Sequence, residues 1–420
     1  MSLAPEQTAA LAPPDGTIGI KRLFSSPGVD PYDEVVWERR DARITNWKDG
    51  SVAFEQLDVE FPTSWSVNAT NIVSQKYFRG TLGTAERESS VRQVIDRVVN
   101  TITTWGREGG YFADEDEATA FADELTYILV TQRAAFNSPV WFNIGVPGVR
   151  QQASACFILS VDDTMNSILN WYREEGVIFK GGSGSGVNLS KIRSSAELLE
   201  GGGTASGPVS FMRGADASAG TIKSGGKTRR AAKMVILDID HPDIEHFVNW
   251  KVIEEQKVAA LVAGSKLASK HLNEVMKACN ESELGEDKKY DPKENAQLKA
   301  AIRAARKVMI PENYVQRIIQ FAKQGYTSLE FKEYNTDWDS EAYVTVAGQN
   351  SNNSVRVTND FLQAVLDNGE WDLIRRKDGK VDKRISAAKL WDDVGYSAWA
   401  CADPGIQFDT TINEWHTCPT

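Results

Sequence analysis

Cysteine and histidine are scarce in this chain, with four of each in 420 residues. Cys156, Cys279, Cys401 and Cys418 are too few and too dispersed for the disulfide framework of a secreted domain, so a reducing, cytoplasmic setting is expected. His241, His246, His271 and His416 lack metal-ligand spacing with acids or cysteines, and no metal site is expected. No run of about 18 apolar residues occurs, which predicts no membrane span. The first residues, through Thr17, lack a basic stretch followed by an apolar core, so no signal peptide is expected. A basic excess is missing too. Lys and Arg number 47 against 58 Asp and Glu, a net charge of -11 that argues against a DNA-coating surface. A local cluster of cations around a small phosphate stays compatible with that balance.

What is present is the composition of a globular enzyme: 41% hydrophobic, 25% charged and 9% aromatic residues. Residues 1–30, rich in Ala, Pro and Gly, read as a disordered tail. Residues 31–135 read as an N-terminal, mostly helical subdomain. Its first part, 33–85, holds Trp37, Trp47 and Trp65 without clear periodicity and reads as irregular wrapping structure. Two amphipathic helices follow, one on Val91, Val94, Ile95, Val98 and Ile102, the next on Phe121, Leu125 and Ile128 behind an acidic first turn. Residues 136–420 alternate strand, loop and helix, which makes the class α/β. Strands are predicted at Ala155–Val161, Val187–Leu189, Met234–Ile239, Ser328–Phe331 and Ile406–Thr411. A charged excursion near 280–307 reads as solvated. The abrupt ending after Trp415 reads as a truncation.

The stretch 137–193 carries the chemistry. It contains Asn-Ser-Pro-Val-Trp-Phe-Asn at 137–143, Ser-Ala-Cys-Phe-Ile-Leu-Ser-Val at 154–161 and Gly-Gly-Ser-Gly-Ser-Gly-Val-Asn at 181–188. The glycine loop admits either a ligand lying against bare backbone N–H groups or a tight turn between packed elements. Its spacing is not the dinucleotide fingerprint, because a strand rather than a helix follows. Cys156 reads either as a small buried hydrophobe or as a reactive thiol beside that loop. Ser224 to Thr228 ends like a P-loop, but Thr221 stands where the motif needs glycine. Lys227, Arg229 and Arg230 still make the turn 223–230 a plausible phosphate contact.

These segments, with Ser-Gly-Gly-Lys-Thr-Arg-Arg-Ala-Ala-Lys-Met from Ser224 and Asp-Pro-Gly-Ile-Gln-Phe-Asp-Thr-Thr-Ile-Asn-Glu-Trp-His from Asp403, resemble ribonucleotide reductase catalytic chains. Their wording is similar to the vitamin B12 (adenosylcobalamin)-dependent branch, from about residue 35 onward. The resemblance implies the first half of a ten-stranded α/β barrel after the helical subdomain, and reduction of ribonucleotides to 2′-deoxyribonucleotides by thiyl-radical chemistry. It implies that Cys156 is one partner of a redox dithiol, and that Ser138, Ala155, Cys156, Ser183 and Gly184 line the substrate. Asp163, Thr164, Met165 and Arg193 would form the allosteric specificity site for a deoxynucleoside triphosphate effector. Lys227, Arg229 and Arg230 would belong to the specificity loop.

Implied partners are a thioredoxin-type reductant, a second chain completing the barrel, and a second copy in a homodimer; no membrane or DNA binding is implied. The family's radical cysteine lies in an Asn-Pro-Cys-Ser-Glu segment, which does not occur in these residues. The chain is therefore expected to be inactive alone. Two other readings stay open: a large-subunit fragment of a diiron-dependent reductase, and a non-catalytic nucleotide-binding half-barrel.

Overall fold

A computed structural model describes residues 17–47, 49–199, 201–222, 232–286, 288–337 and 340–417. Lys227, Arg229, Arg230 and Cys418 lie outside the described residues. In chain order the elements begin with β1 (Trp37–Thr45), β2 (Val52–Pro62), α1 (Val67–Lys76), α2 (Val91–Glu108), α3 (Glu115–Val130) and α4 (Ser138–Asn143). Then come β3 (Cys156–Leu159), α5 (Met165–Lys180), β4 (Gly184–Asn188), α6 (Gly207–Thr221) and β5 (Ala232–Asp238). The helices α7 (Ile244–Asn280), α8 (Ala296–Lys307) and α9 (Glu312–Lys323) follow. The described chain closes with β6 (Ser351–Val357), α10 (Asn359–Leu366), β7 (Glu370–Ile374), β8 (Val381–Ser386), α11 (Ala387–Cys401), β9 (Gly405–Phe408) and α12 (Asp409–Trp415).

Two compact units emerge. The first holds the described residues up to Ile158 with Arg173–Gly186 and Thr221–Ala232; the second holds Leu159–Tyr172, Val187–Gly220 and the residues from Lys233 on. A five-stranded sheet has the order β3-β4-β5-β6-β9, parallel where β5 pairs with β6 and β6 with β9. Helices intervene between its strands, and the sheet does not close on itself, as expected for part of an α/β barrel.

In the first unit, 33–85 is not irregular. The strands β1 and β2 form an antiparallel hairpin from Trp37 opposite Pro62 to Thr45 opposite Val52. Apolar alternation is hidden in the sequence because the outward face carries charge pairs, Arg39 with Asp58 and Arg43 with Glu55. The inward residues Ala42, Val59 and Phe61 are completely buried. The helix α2 opens with a capping box made by Ser90 and Gln93 and buries Val91, Val94, Ile95, Val98 and Val99, the face that its spacing predicts. The buried Glu124 of α3 accepts from the amides of Phe24 and Ser25 and from the Ser25 hydroxyl, which ties residues 24–25 to this helix.

The second unit packs its core on Trp171, Met212, Leu237, Phe247, Trp250 and Phe361, all fully buried. Two strand expectations fail there. Residues 328–331 form no strand, and the strand predicted over Ile406–Thr411 gives way after Phe408 to α12. Within the charged stretch near 280–307, α8 places Leu298, Ile302 and Ala305 against Val275, Met276 and Cys279 of α7 and Val315, Ile318 and Ile319 of α9. The apolar spacing is short and sits between basic residues, so charge masked it.

Asn295 locks that cluster. Its side-chain oxygen caps α8 by accepting from the Leu298 amide at 2.9 Å, while its Nδ2 donates to the carbonyls of Ala278 and Lys289 at 2.9 and 2.7 Å. Only 2% of Asn295 is exposed, so its loss strands three backbone groups away from water. Asn295→Ala is expected to cost about 2–4 kcal/mol, read as a lower denaturation midpoint in urea. An unchanged midpoint would contradict a folded core in this stretch.

Candidate functional site

In the first unit, Arg97 of α2 organises the approach to the site. It pairs with Glu88 at 2.8 Å and donates to the carbonyls of Tyr77, Trp141 and Ile144, fixing the C-terminal half of α4 and the turn after α1. Gly145 must be glycine here: its φ is +71° and a Cβ would lie 2.2 Å from the Arg97 carbonyl oxygen. On α4, started by Pro139 in its first turn, Ser138 shares a 3.0 Å hydrogen bond with the Tyr77 hydroxyl. Asn143 at its other end donates to the Gly181 carbonyl at 3.3 Å, joining α4 to the glycine turn.

Four of the five residues expected at the substrate meet around the start of β3. The Gly184 amide donates to the Ala155 carbonyl at 2.6 Å. Ser183 donates its hydroxyl to the Ser154 carbonyl at 2.6 Å and accepts from the Gln152 amide group. Cys156 follows directly as the first residue of β3. The remaining residue, Ser138, is held on α4 by Tyr77 rather than by this group.

The cysteine is exposed, so the buried-hydrophobe reading of Cys156 fails. The other two described thiols are poor candidates for redox work. Burial pushes Cys279 up to about 11, which keeps it a protonated core residue. Cys401 is half-buried, raised chiefly by burial, and directs its sulfur at the carbonyls of Ser397 and Asp403 at 3.3 and 3.4 Å.

Beside the glycine turn lies a cavity of about 660 Å³ lined by Arg79, Arg150, Arg173 and Lys180 together with Gly181 and Gly182. Sequence reasoning placed the phosphate-binding cations at 227–230 and missed these. They come from three separate stretches of the chain, Arg173 and Lys180 sharing α5 while Arg79 and Arg150 lie far from it in sequence.

In the second unit, the four residues expected at an effector converge. Asp163 accepts from the Arg193 amide at 3.2 Å and from its Nε at 2.5 Å. Thr164 caps α5, its hydroxyl accepting from the Ser167 amide at 3.2 Å, and Met165 opens the helix with an exposed side chain. His241, completely buried, holds the next residue back. Its Nδ1 accepts from the Asp243 amide at 3.0 Å, which leaves Nε2–H to donate to the Ile192 carbonyl at 2.8 Å. Burial first, and the nearby Arg376, pull this imidazole below its ordinary range, against the Ile192 bond, Asp243 and Asp240.

Comparison with known proteins gives the family of the chain. Residues 154–420 match the family model described as "Ribonucleotide reductase, barrel domain". Residues 38–132 match "Class II vitamin B12-dependent ribonucleotide reductase". The chain belongs to the ribonucleotide reductases, in their class II, vitamin B12-dependent branch. A vitamin B12-dependent ribonucleotide reductase of Streptomyces coelicolor is 51% identical over 95% of this chain and 34% of its own length. One from Agrobacterium fabrum is 46% identical over 95% of this chain and 36% of its own length. A vitamin B12-dependent ribonucleoside-diphosphate reductase of Thermoplasma acidophilum is 26% identical over 81% of this chain and 31% of its own length. The chain thus spans about a third of the length of these relatives. These matches favour the cobalamin branch over the diiron reading.

Membership of the vitamin B12-dependent branch implies an adenosylcobalamin cofactor. The 660 Å³ cavity suits a nucleotide-sized ligand and is not that cofactor's site, being too small for a corrin with its adenosyl and nucleotide appendages. No group of three or more His, Cys, Asp or Glu able to hold a metal occurs among the described residues, and no helix there is long and apolar enough to cross a membrane.

The depressed His241 gives a pH prediction with a definite sign. The unfolded imidazole takes up a proton near pH 6.5, while the folded one resists it because protonated Nδ1 would lose the Asp243 amide. Stability is therefore full above about pH 7 and falls as the pH drops through the ordinary histidine range and below. Urea midpoints measured between pH 7.5 and 5 should decline, and His241→Gln should flatten the decline. An equal slope in the variant would rule out His241 as its source.

Proposed function

We propose that this chain supplies one redox cysteine, part of the substrate pocket and the allosteric specificity site of an adenosylcobalamin-dependent ribonucleotide reductase. The observation that carries the reading is the exposed Cys156, directly after the Ser154 and Ala155 carbonyls that Ser183 and Gly184 hold by hydrogen bonds. The substrate is a ribonucleotide, with its ribose beside this group and Ser138 as a further hydroxyl contact. Cys156 and a second thiol of the complete enzyme each give up hydrogen and join as a disulfide. The C2′–O bond breaks, hydrogen replaces oxygen at C2′, and the hydroxyl leaves as water, so two electrons and two protons balance. A thioredoxin-type dithiol returns the pair to its reduced state. No step of this account runs through the corrin.

A deoxynucleoside triphosphate occupies the second-unit site. The start of α5 offers a positive dipole end, and Arg193 offers a guanidinium that Asp163 holds in place until the effector arrives. Lys227, Arg229 and Arg230 belong to the loop that relays effector identity to substrate choice. Without the Asn-Pro-Cys-Ser-Glu segment the chain does not turn over by itself.

Two measurements test the reading. Calorimetry on this chain should show deoxynucleoside triphosphate binding weakened at least about tenfold by Asp163→Ala and unchanged by Cys156→Ala. In the complete enzyme with a thioredoxin-type reductant, Cys156→Ser should lower deoxynucleotide formation by about a thousandfold or more. Turnover within tenfold of wild type would remove Cys156 from the electron path.

A further inference from the structure

The first unit's cavity has a charge pattern that the reductase reading does not use. Among the described residues its lining carries Arg79, Arg150, Arg173 and Lys180 and no carboxylate. None of these four side chains makes an ion pair among the described residues. The acid that could neutralise Arg79 is already engaged. Glu88 gives one oxygen to Arg97 at 2.8 Å and the other to the Arg79 backbone amide at 2.7 Å. Arg79 Nε is buried with no hydrogen-bond partner. Burial, and then the charge of Arg97, push this guanidinium below its ordinary range.

Cations gathered round one cavity repel one another; Arg150, Arg173 and Lys180 are exposed, while the half-buried Arg79 has Glu88 only as a partial counter-charge and its unpaired buried donor is costly. A ligand with several negative charges removes both penalties at once. The remaining wall is suited to something larger than an inorganic ion. Phe142, Val149, Val177 and Ile222 give it an apolar side, and 660 Å³ is within the range of small-molecule sites. At Gly182 the φ of +84° favours glycine, which keeps the backbone bare where it borders the cavity.

We propose that this cavity is a polyphosphate subsite that holds the phosphate chain of a nucleotide on Arg79, Arg150, Arg173 and Lys180. The assignment needs neither Cys156 nor Asp163, so it stands or falls apart from the reductase mechanism. The phosphate chain comes either from the nucleotide whose ribose lies at Gly184 or from a separate nucleotide.

Calorimetry on the 420-residue chain with inorganic tripolyphosphate and with CDP tests it. Arg173 and Lys180 are exposed, so the double variant Arg173→Gln/Lys180→Gln keeps the fold, which circular dichroism verifies. Tripolyphosphate should bind wild type, weaken with added salt, and lose about tenfold or more in affinity in the double variant. Arg79→Gln should weaken it as well, and Asp163→Ala should leave it unchanged. Displacement of tripolyphosphate by CDP supports the substrate's own phosphates as the source; independent binding of the two supports a separate nucleotide. Equal tripolyphosphate affinity in wild type and double variant, or no binding to wild type at millimolar concentration, overturns the proposal.

Discussion

The candidate substrate pocket depends on one close approach of backbone to backbone. The Gly184 amide reaches the Ala155 carbonyl at 2.6 Å, and a Cβ on Gly184 would stand 2.9 Å from the Ala232 carbonyl oxygen. Any side chain there would push away the start of β5, which lies against β4 in the strand order. The same contact fixes where β3 begins, and therefore where the Cys156 thiol is presented. Ser183, one residue earlier, is bound to the Ser154 carbonyl and extends the restraint to the residues just before the thiol. A nucleophile on a loop would have to be ordered when the substrate arrives; a thiol that opens a strand, with the two preceding carbonyls engaged, is ordered beforehand.

The three described cysteines show how environment rather than residue type assigns roles. Cys279 is sealed among the leucine and isoleucine side chains of the α7–α9 cluster, where ionisation is suppressed. Cys401 is directed at two carbonyl oxygens at the end of α11. Only Cys156, among the described residues, combines exposure with a polar neighbourhood. In sequence only Cys156 stands near a glycine loop, and nothing there shows that Cys279, between Lys277 and Glu281, is buried. The discriminating quantity is the neighbourhood that the fold builds.

Local periodicity made α2 and α3 legible in the sequence, down to the acidic first turn that the Asp114 cap completes. Motif order made the group around Cys156 and the Asp163–Arg193 pair legible, because the resemblance supplied partners that spacing alone could not. The β1–β2 hairpin was not legible. Its outward residues are charged and its inward ones, Ala42 among them, are too small or too irregularly spaced to stand out. The α7–α9 cluster was hidden by composition, since lysine and arginine stems cover a narrow apolar stripe that only tertiary packing reveals. The cationic cavity was hidden for a different reason. Arg79 and Lys180 are about a hundred residues apart, and their convergence is a property of the fold.

That convergence also corrects what net charge implies. A chain at -11 repels polyanions at long range, yet salt limits that repulsion to about 8 Å from each exposed charge under physiological conditions. Inside a cavity whose walls exclude part of the solvent, the four local cations dominate because their field is less screened than that of the outer surface. On the proposed subsite, this separation of scales would let a single nucleotide enter where the local potential is positive, whereas a long polyanion would have to lie across many carboxylates.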